Sequence, residues 1–302
     1  MEVLSDVLRT LRVRGSVYFC DCLEPPWSLE FHDRANASFH LVRRGECWVT
    51  AGEHVDRLGS GDLVYVGPGL EHVLESHNPA GPQPRQQSAT LLLCGYCGFD
   101  TNHVHPLVAS FPRFTIVREE ELLQHVWLKG TLDQLSAEYL SQRPGADVVV
   151  DRLTEVVLVE LIRLNFGRPG QSGFIRALLD KPIARALGSL HEKPQVAWTL
   201  ASLGREVGMS RAALAKRFKE LVGQTMFEYL TDLRMQRARV MLVDTLKPIH
   251  EVANSVGYES DLAFTKVFKK RSGVTPTRFR KLANAERDQP EESGNASGVL
   301  IG

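Results

Sequence analysis

Residues 15 to 100 carry short apolar runs, VYFC, SFHLVRR, CWVTAG, DLVYVGPG and ATLLLCGY, at roughly ten-residue spacing with turn residues between them, the pattern of a β-sandwich or small barrel. An opening helix over Glu2 to Leu11 precedes them, GSGD at 59–62 reads as a hairpin turn, and NPAGPQPRQQS at 78–88 as a polar loop. From Glu119 the period becomes helical. Leu122, Leu123, Val126 and Trp127 fall on one segment, and Leu153, Val156, Val157, Glu160, Leu161 and Leu164 on a second running from Ala146 to Gly167. The second stripe is broad for a helix covering a small barrel, so part of it is available to a subunit interface, with cover of the barrel alone as the alternative. GRPGQSG (167–173) reads as a flexible loop closing this part of the chain, and residues 174 to 283 read as all helix. The tail from 284 lacks apolar periodicity and is expected to be disordered.

The helical third contains an internal repeat. LASLGREVGMSRAALAKRFKELVGQT (200–225) aligns with IHEVANSVGYESDLAFTKVFKKRSGVT (249–275), matching Leu203 with Val252, Gly208 with Gly257, Ser210 with Ser260 and Phe218 with Phe268. Each copy has the physics of a helix-turn-helix. Leu200, Leu203 and Val207 share a face, Gly208 permits a sharp turn, and Ser210 caps a second helix whose Leu214 and Phe218 pack inward. The other face carries Arg211, Ala212, Ala215, Lys216 and Lys219. In the second copy Phe264 and Phe268 face in, while Asp261, Leu262, Thr265, Lys266 and Lys269 face out. Small residues at Gly204 and Ala253 let the paired helices approach. FEYLTDLRMQRARVML (227–242) reads as a rigid spacer that would set the two recognition helices about one DNA turn (~34 Å) apart.

Composition sharpens this. The 302 residues suffice for two domains, the net charge is zero, and no apolar run approaches the ~18 to 20 residues of a membrane span. Between Gln195 and Lys281, however, 16 Lys and Arg face 8 Asp and Glu, a local +8 that favours a polyanionic partner. A helical bundle for protein contact would not need two capped repeats with that charge. Five cysteines fit a reducing compartment rather than a disulfide scaffold, and the N-terminus lacks a signal peptide, so a cytoplasmic protein without membrane contact is expected.

Residues 196 to 281 resemble the AraC/XylS-type DNA-binding domain through WTL (198–200), VGMSR (207–211), RFK (217–219), EYLTDLRM (228–235), VGYES (256–260), AFTKVFKK (263–270) and GVTP (273–276), followed by Phe279 and Arg280. The sequence departs from that pattern at Gly204, usually Ala, and Met226, usually Pro; the glycine weakens a helix by up to ~1 kcal/mol. The resemblance implies base-reading positions at Ala212, Ala215 and Lys216 and at Asp261, Leu262, Thr265 and Lys266, with Ser210, Arg211, Lys219, Ser260 and Lys269 beside them on the DNA. The alanines suit thymine methyl groups. Double-stranded promoter DNA and RNA polymerase are the partners it implies.

GDLVYVGPGLEH (61–72) resembles the second cupin motif, and FHLVRRGECWV (39–49) with PPW (25–27) is similar to the cupin-bearing branch of the same regulators. A metal-dependent cupin needs a His-x-His pair, an acid and a later His. Here His40 has Ser38 and Val42 beside it, so a full metal site and catalysis are disfavoured. No cofactor and no catalytic residue are implied; His40 and His72 stay candidates for a metal ion or an effector, with hydrogen-bonded structural histidines as the alternative. Cys20 and Cys22 share a face of one strand, whereas Cys94 and Cys97 lie on opposite faces of another, so only one of the latter can meet the first pair. Similar regulators include members that sense oxidants through such cysteines; small apolar thiols in a β core are the alternative.

The expected protein is α+β: a cupin-like β-barrel with flanking helices for sensing and homodimerisation (1–168), a linker and lead-in helix (169–194), an all-α double helix-turn-helix domain (195–283) and a disordered tail (284–302). Its expected function is promoter binding controlled by a small effector or oxidant. The rival readings are a metal-dependent cupin enzyme fused to a DNA-targeting domain and an architectural DNA binder without a ligand.

Overall fold

The computed structural model describes residues 3–11, 13–33, 35–81, 88–99, 105–166, 168, 173–288 and 299–300. Most of the loop at 78–88, all but two residues of the loop at 167–173, and most of the tail expected to be disordered fall outside those residues. The chain divides into two compact units, one of Val13–Asp100, Phe111–Arg168 and Gly294–Gly302, the other of Met1–Arg12, Thr101–Ser110 and Pro169–Ser293.

The first unit is built on two five-stranded antiparallel sheets. One has the order β1 (Val13–Leu23), β8 (Thr90–Phe99), β3 (Ala37–Arg44), β6 (Leu63–Val66), β9 (Phe114–Val117). The other has β10 (Val299–Leu300), β2 (Ser28–Phe31), β7 (His72–Glu75), β4 (Glu46–Ala51), β5 (His54–Gly59). Inward residues of both, among them Leu29, Phe31, Val42, Cys47, Val49, Val64, Leu74 and Leu92, form one apolar cluster between the sheets. Alternation thus places one face of each strand inside, which is how a small barrel fills its interior.

GSGD is not a hairpin turn. It links β5 in one sheet to β6 in the other, and the strands do not pair. Gly61 supplies a φ of +87°, and Asp62 accepts from the backbone N–H of Gly59 at 2.9 Å and of Glu119 at 3.0 Å, and from Arg118 at 2.8 Å. The turn is fixed by its acid rather than by strand pairing.

The helical stripe read from Leu122 to Trp127 is also two elements. α3 (Glu119–Gln124) stops at His125 and α4 (Val126–Ser141) starts anew, so Leu122 is buried while Leu123, Val126 and Trp127 are exposed, Trp127 by 78%. α5 (Ala146–Phe166) packs on β1 and β8 and against α4. It comes close because Gly15 has no side chain: a Cβ there would lie 2.5 Å from Thr154 Cγ2. Val150, Val157, Leu158, Leu161 and Ile162 are buried, whereas Val148, Val149 and Val156 stay exposed.

The second unit is helical. α1 (Val3–Leu11) and α2 (Pro106–Ala109) join α6 (Gly173–Leu179), α7 (Lys181–Glu192), α8 (Leu200–Val207), α9 (Arg211–Val222), α10 (Met226–Asp244), α11 (Ile249–Ser255), α12 (Asp261–Ser272) and α13 (Pro276–Asp288). The last helix runs to Asp288, past the start of the expected tail at 284. α10 is more than a spacer, since Met235, Ala238 and Leu242 share a buried cluster with Val252, Ala253, Val256, Phe264 and Phe268 of the second motif.

Candidate DNA interface and barrel interior

Both recognition helices are started and stopped by side-chain and backbone chemistry at the expected residues. Gly208 ends α8 at a φ of +73°; Ser210 Oγ accepts from Ala213 N–H at 3.2 Å to start α9, and Gly223 ends it at +85°. In the second motif Ser260 Oγ accepts from Ala263 N–H at 3.3 Å, and Gly273 ends α12 at +74°. Gly257, at +85°, also lies so close to Gln195 that a Cβ would stand 2.6 Å from its carbonyl oxygen. Thr199 and Ser202 form a capping box on α8 that the sequence reading left unnoticed.

Leu214 and Phe218 of α9, and Phe264 and Phe268 of α12, are fully buried. Opposite them, Ser210, Arg211, Ala212, Lys216 and Lys219 are exposed with Ala215 half-buried; Ser260, Asp261, Leu262, Lys266 and Lys269 are exposed with Thr265 half-buried. Each set therefore lies on one open helix face. Leu262 is 80% exposed, a large apolar side chain left in water on a polar helix. Arg217 of the RFK stretch turns elsewhere: its Nε donates to Asp180 at 2.9 Å, and the other Asp180 oxygen caps α7 by accepting from Ile183 N–H.

Gly204 is buried where α8 meets the turn, and a Cβ on it would fall 2.7 Å from the Met209 carbonyl oxygen. That carbonyl is backbone and cannot swing aside.

Inside the barrel, His40 Nε2 and His72 Nε2 meet at 2.8 Å, both side chains buried. Phe31 stacks on His72 with centroids 4.8 Å apart and tilts against His40 at 4.5 Å. His72 Nδ1 donates to the Leu70 carbonyl at 3.1 Å, so its Nε2 accepts and His40 Nε2 carries the donated proton. Among the described residues His40 Nδ1 is then a buried acceptor with no partner, and Trp27 Nε1 in the same interior is a buried donor with none. Burial holds His72 down at about 4 and His40 well below its ordinary value, so both are neutral. The two Nε2 atoms are bonded to each other, and no group of three His, Cys, Asp or Glu suited to a metal occurs among the described residues.

The cysteines keep the faces that strand alternation gives them, but differ in exposure and in position along the ladder. Cys20 is buried but Cys22 is exposed, with Arg44 Nη2 at 3.7 Å from its sulfur. Cys20 lies opposite Leu93, and Cys94 opposite Phe19, which packs into the interior, so Cys20 and Cys94 occupy opposite faces of the β1–β8 ladder. Cys97 shares the face of Cys20 but pairs with Gly15, some ~13 Å along the ladder by strand rise. Cys94 is a diagonal neighbour of Cys20 but points to the other face, and Cys97 is too far along the ladder, so neither is placed to bridge Cys20. Burial raises all four buried thiols, Cys47 and Cys97 to about 12. Cys47, overlooked in the sequence, shares the interior cluster with Cys94; the alternation Cys47, Val49, Ala51 would have shown it facing in.

Comparison with known proteins agrees with this architecture. Residues 2–167 match the family described as Cupin, and residues 203–282 match a helix-turn-helix domain. The chain is 30% identical to an AraC-like transcription regulator of Streptomyces antibioticus, covering 93% of this chain and 99% of that protein. It is 25% identical to the RCS-specific transcriptional activator RclR of Escherichia coli K12, covering 93% and 98%. Among solved structures, the DNA-binding domain of AdpA in complex with a target DNA is 25% identical over 37% of this chain and all of that one, with a TM-score of 0.35.

Proposed function

We propose, for a chain that belongs to the AraC-type helix-turn-helix transcription regulators with an N-terminal cupin domain, that it binds promoter DNA as a homodimer and that a small polar effector in the barrel controls that binding. The DNA contacts we assign are Ser210, Arg211, Ala212, Ala215, Lys216 and Lys219, and Ser260, Asp261, Leu262, Thr265, Lys266 and Lys269. Their common exposure on two capped helices within a stretch of net +8 supports this. RNA polymerase is the partner at the promoter, and exposed Val148, Val149 and Val156 form the subunit contact.

The observation that carries the effector is the unpaired interior: His40 Nδ1 needs a donor and Trp27 Nε1 an acceptor. A molecule offering both, sized for a small barrel, suits that interior. An oxidant is the second reading. Cys22, exposed beside Arg44, is the thiol on which it would act, and a relative is named for RCS.

The test selects a duplex from random DNA with the full chain, then measures affinity for it against a panel of small polar compounds and against hypochlorite. A compound that shifts affinity in wild type but not in His40→Leu supports the effector. A shift with hypochlorite alone, lost in Cys22→Ser, replaces it by the oxidant, and no selected duplex at all would end the DNA-binding reading.

A further inference from the structure

We propose that Tyr229 is a positioning residue for DNA binding, through which the two segments that continue the β1–β8 strand pair set the first recognition helix. The inference rests on the DNA-binding reading above. Tyr229 lies on α10 and is only 2% exposed. Its ring meets Phe218 of α9 edge-on at 5.8 Å, stacks on Phe174 of α6 at 6.0 Å and meets His105 edge-on at 6.1 Å.

The hydroxyl continues into a polar relay. Tyr229 Oη lies 2.6 Å from His191 Nε2 on α7, and His191 Nδ1 lies 2.5 Å from Asp6 Oδ2 on α1. Arg237 of α10 donates to the same Asp6 oxygen at 2.9 Å and also to the His191 carbonyl. Burial keeps the Tyr229 phenol protonated, well above its ordinary range. Burial also pushes Asp6 up, but the His191 hydrogen bond and the Arg237 charge outweigh it and hold the carboxyl below 3.8. The directions follow: phenol O–H to Nε2, Nδ1–H to carboxylate. Every group is paired, so the relay transmits position instead of storing strain.

Asp6, through His191, and His105 reach Tyr229 from the two segments that flank one strand pair in the sequence. α1 ends at Leu11, just before β1 begins at Val13; His105 caps α2 shortly after β8 ends at Phe99. Val13 and Phe99 are register partners, so both segments continue from the same end of the pair. That pair also carries Tyr18 and Cys94 of the barrel lining. α1, through His191, and the cap of α2 thus both bear on Tyr229, and one ring contact passes their position to Phe218, between Arg217 and the exposed Lys219.

Tyr229→Phe removes one oxygen and keeps the ring; Asp6→Asn removes the charge at the far end, on a helix that carries no proposed DNA contact. In the full chain, with the selected duplex, each should lower specific affinity roughly tenfold while random-duplex affinity stays within about twofold. Hydrogen exchange of the α9 amides should rise in both, and the double variant should be no worse than the poorer single. Wild-type affinity and α9 exchange in Tyr229→Phe, an equal loss on both duplexes, or strictly additive losses would each overturn the proposal. If Asp6→Asn does not fold, Tyr229→Phe decides alone, since it leaves every charge in place. Failure of wild type to select any duplex removes the DNA-binding reading instead, a distinct result.

Discussion

His40 and His72 join the two sheets of the barrel nitrogen to nitrogen, one from β3 and one from β7, with Phe31 against both rings. Strands from different sheets cannot share a backbone ladder, so this bond and the surrounding apolar packing are what hold the sheets together at that point.

Stability of the barrel should fall on acidification. His72 titrates at about 4 and His40 well below 6.5, while both take up protons near 6.5 once unfolded. The unfolded chain therefore binds more protons as pH drops, and the stabilisation is complete above 6.5 and lost toward 4, by up to about 1.4 kcal/mol per histidine per pH unit. Urea unfolding followed by tryptophan fluorescence at pH 7.5, 6 and 5 checks this. A flat midpoint in wild type, or a slope unchanged in His72→Gln, contradicts the neutral pair.

Lys216→Ala and Lys266→Ala are each expected to cost ~1 to 3 kcal/mol of specific DNA binding if the side chain reads a base. Lys216 lies 3.9 Å from Glu220, but both are exposed and the pair is too weak to withhold the lysine from DNA. Equal losses on specific and random duplexes would make these phosphate contacts, and an unaffected double variant would remove the assigned faces.

The subunit contact is expected at Val148, 63% exposed, and not at the neighbouring Val157, which is fully buried. Val148→Asp should yield folded monomers in sedimentation experiments. Val157→Asp should instead unfold the barrel unit, because it buries a charge. A Val148→Asp dimer as tight as wild type would place the interface elsewhere.

Gly204→Ala is expected to destabilise the helical unit even though alanine favours helices by ~0.5 to 1 kcal/mol. The added Cβ meets the Met209 carbonyl at 2.7 Å, and relieving it must move the turn before the recognition helix. Overpacking of this kind typically costs ~1 to 3 kcal/mol, so the thermal midpoint should drop. A rise would show that the turn yields freely.

The helix-turn-helix pair was legible because its determinants are local. Ser210, Ser260, Gly208 and Gly273 act within four residues of where they sit, and apolar spacing shows which face turns inward. The barrel was legible where strands carry a continuous or alternating apolar run, as β3, β4, β6 and β8 do. β5, HVDRLG, has Leu58 as its one buried side chain, and β2, β7 and β9 span four residues each, too few for a period to emerge. His125 hid the break between α3 and α4, since the spacing of apolar residues continues across it. The contact of Asp6 with His191 spans 185 positions, and no periodicity can report such a pair.

The helical unit gathers three separate stretches of the chain, Met1–Arg12, Thr101–Ser110 and Pro169–Ser293. Its inheritance is correspondingly constrained. A recombinant gene joining a foreign barrel after Phe166 would receive Tyr229 and His191 without the Asp6 and His105 that meet them. A hybrid that keeps this contact must acquire compatible residues at all three places together, so barrel and reader are expected to diverge as one lineage even though each has its own core.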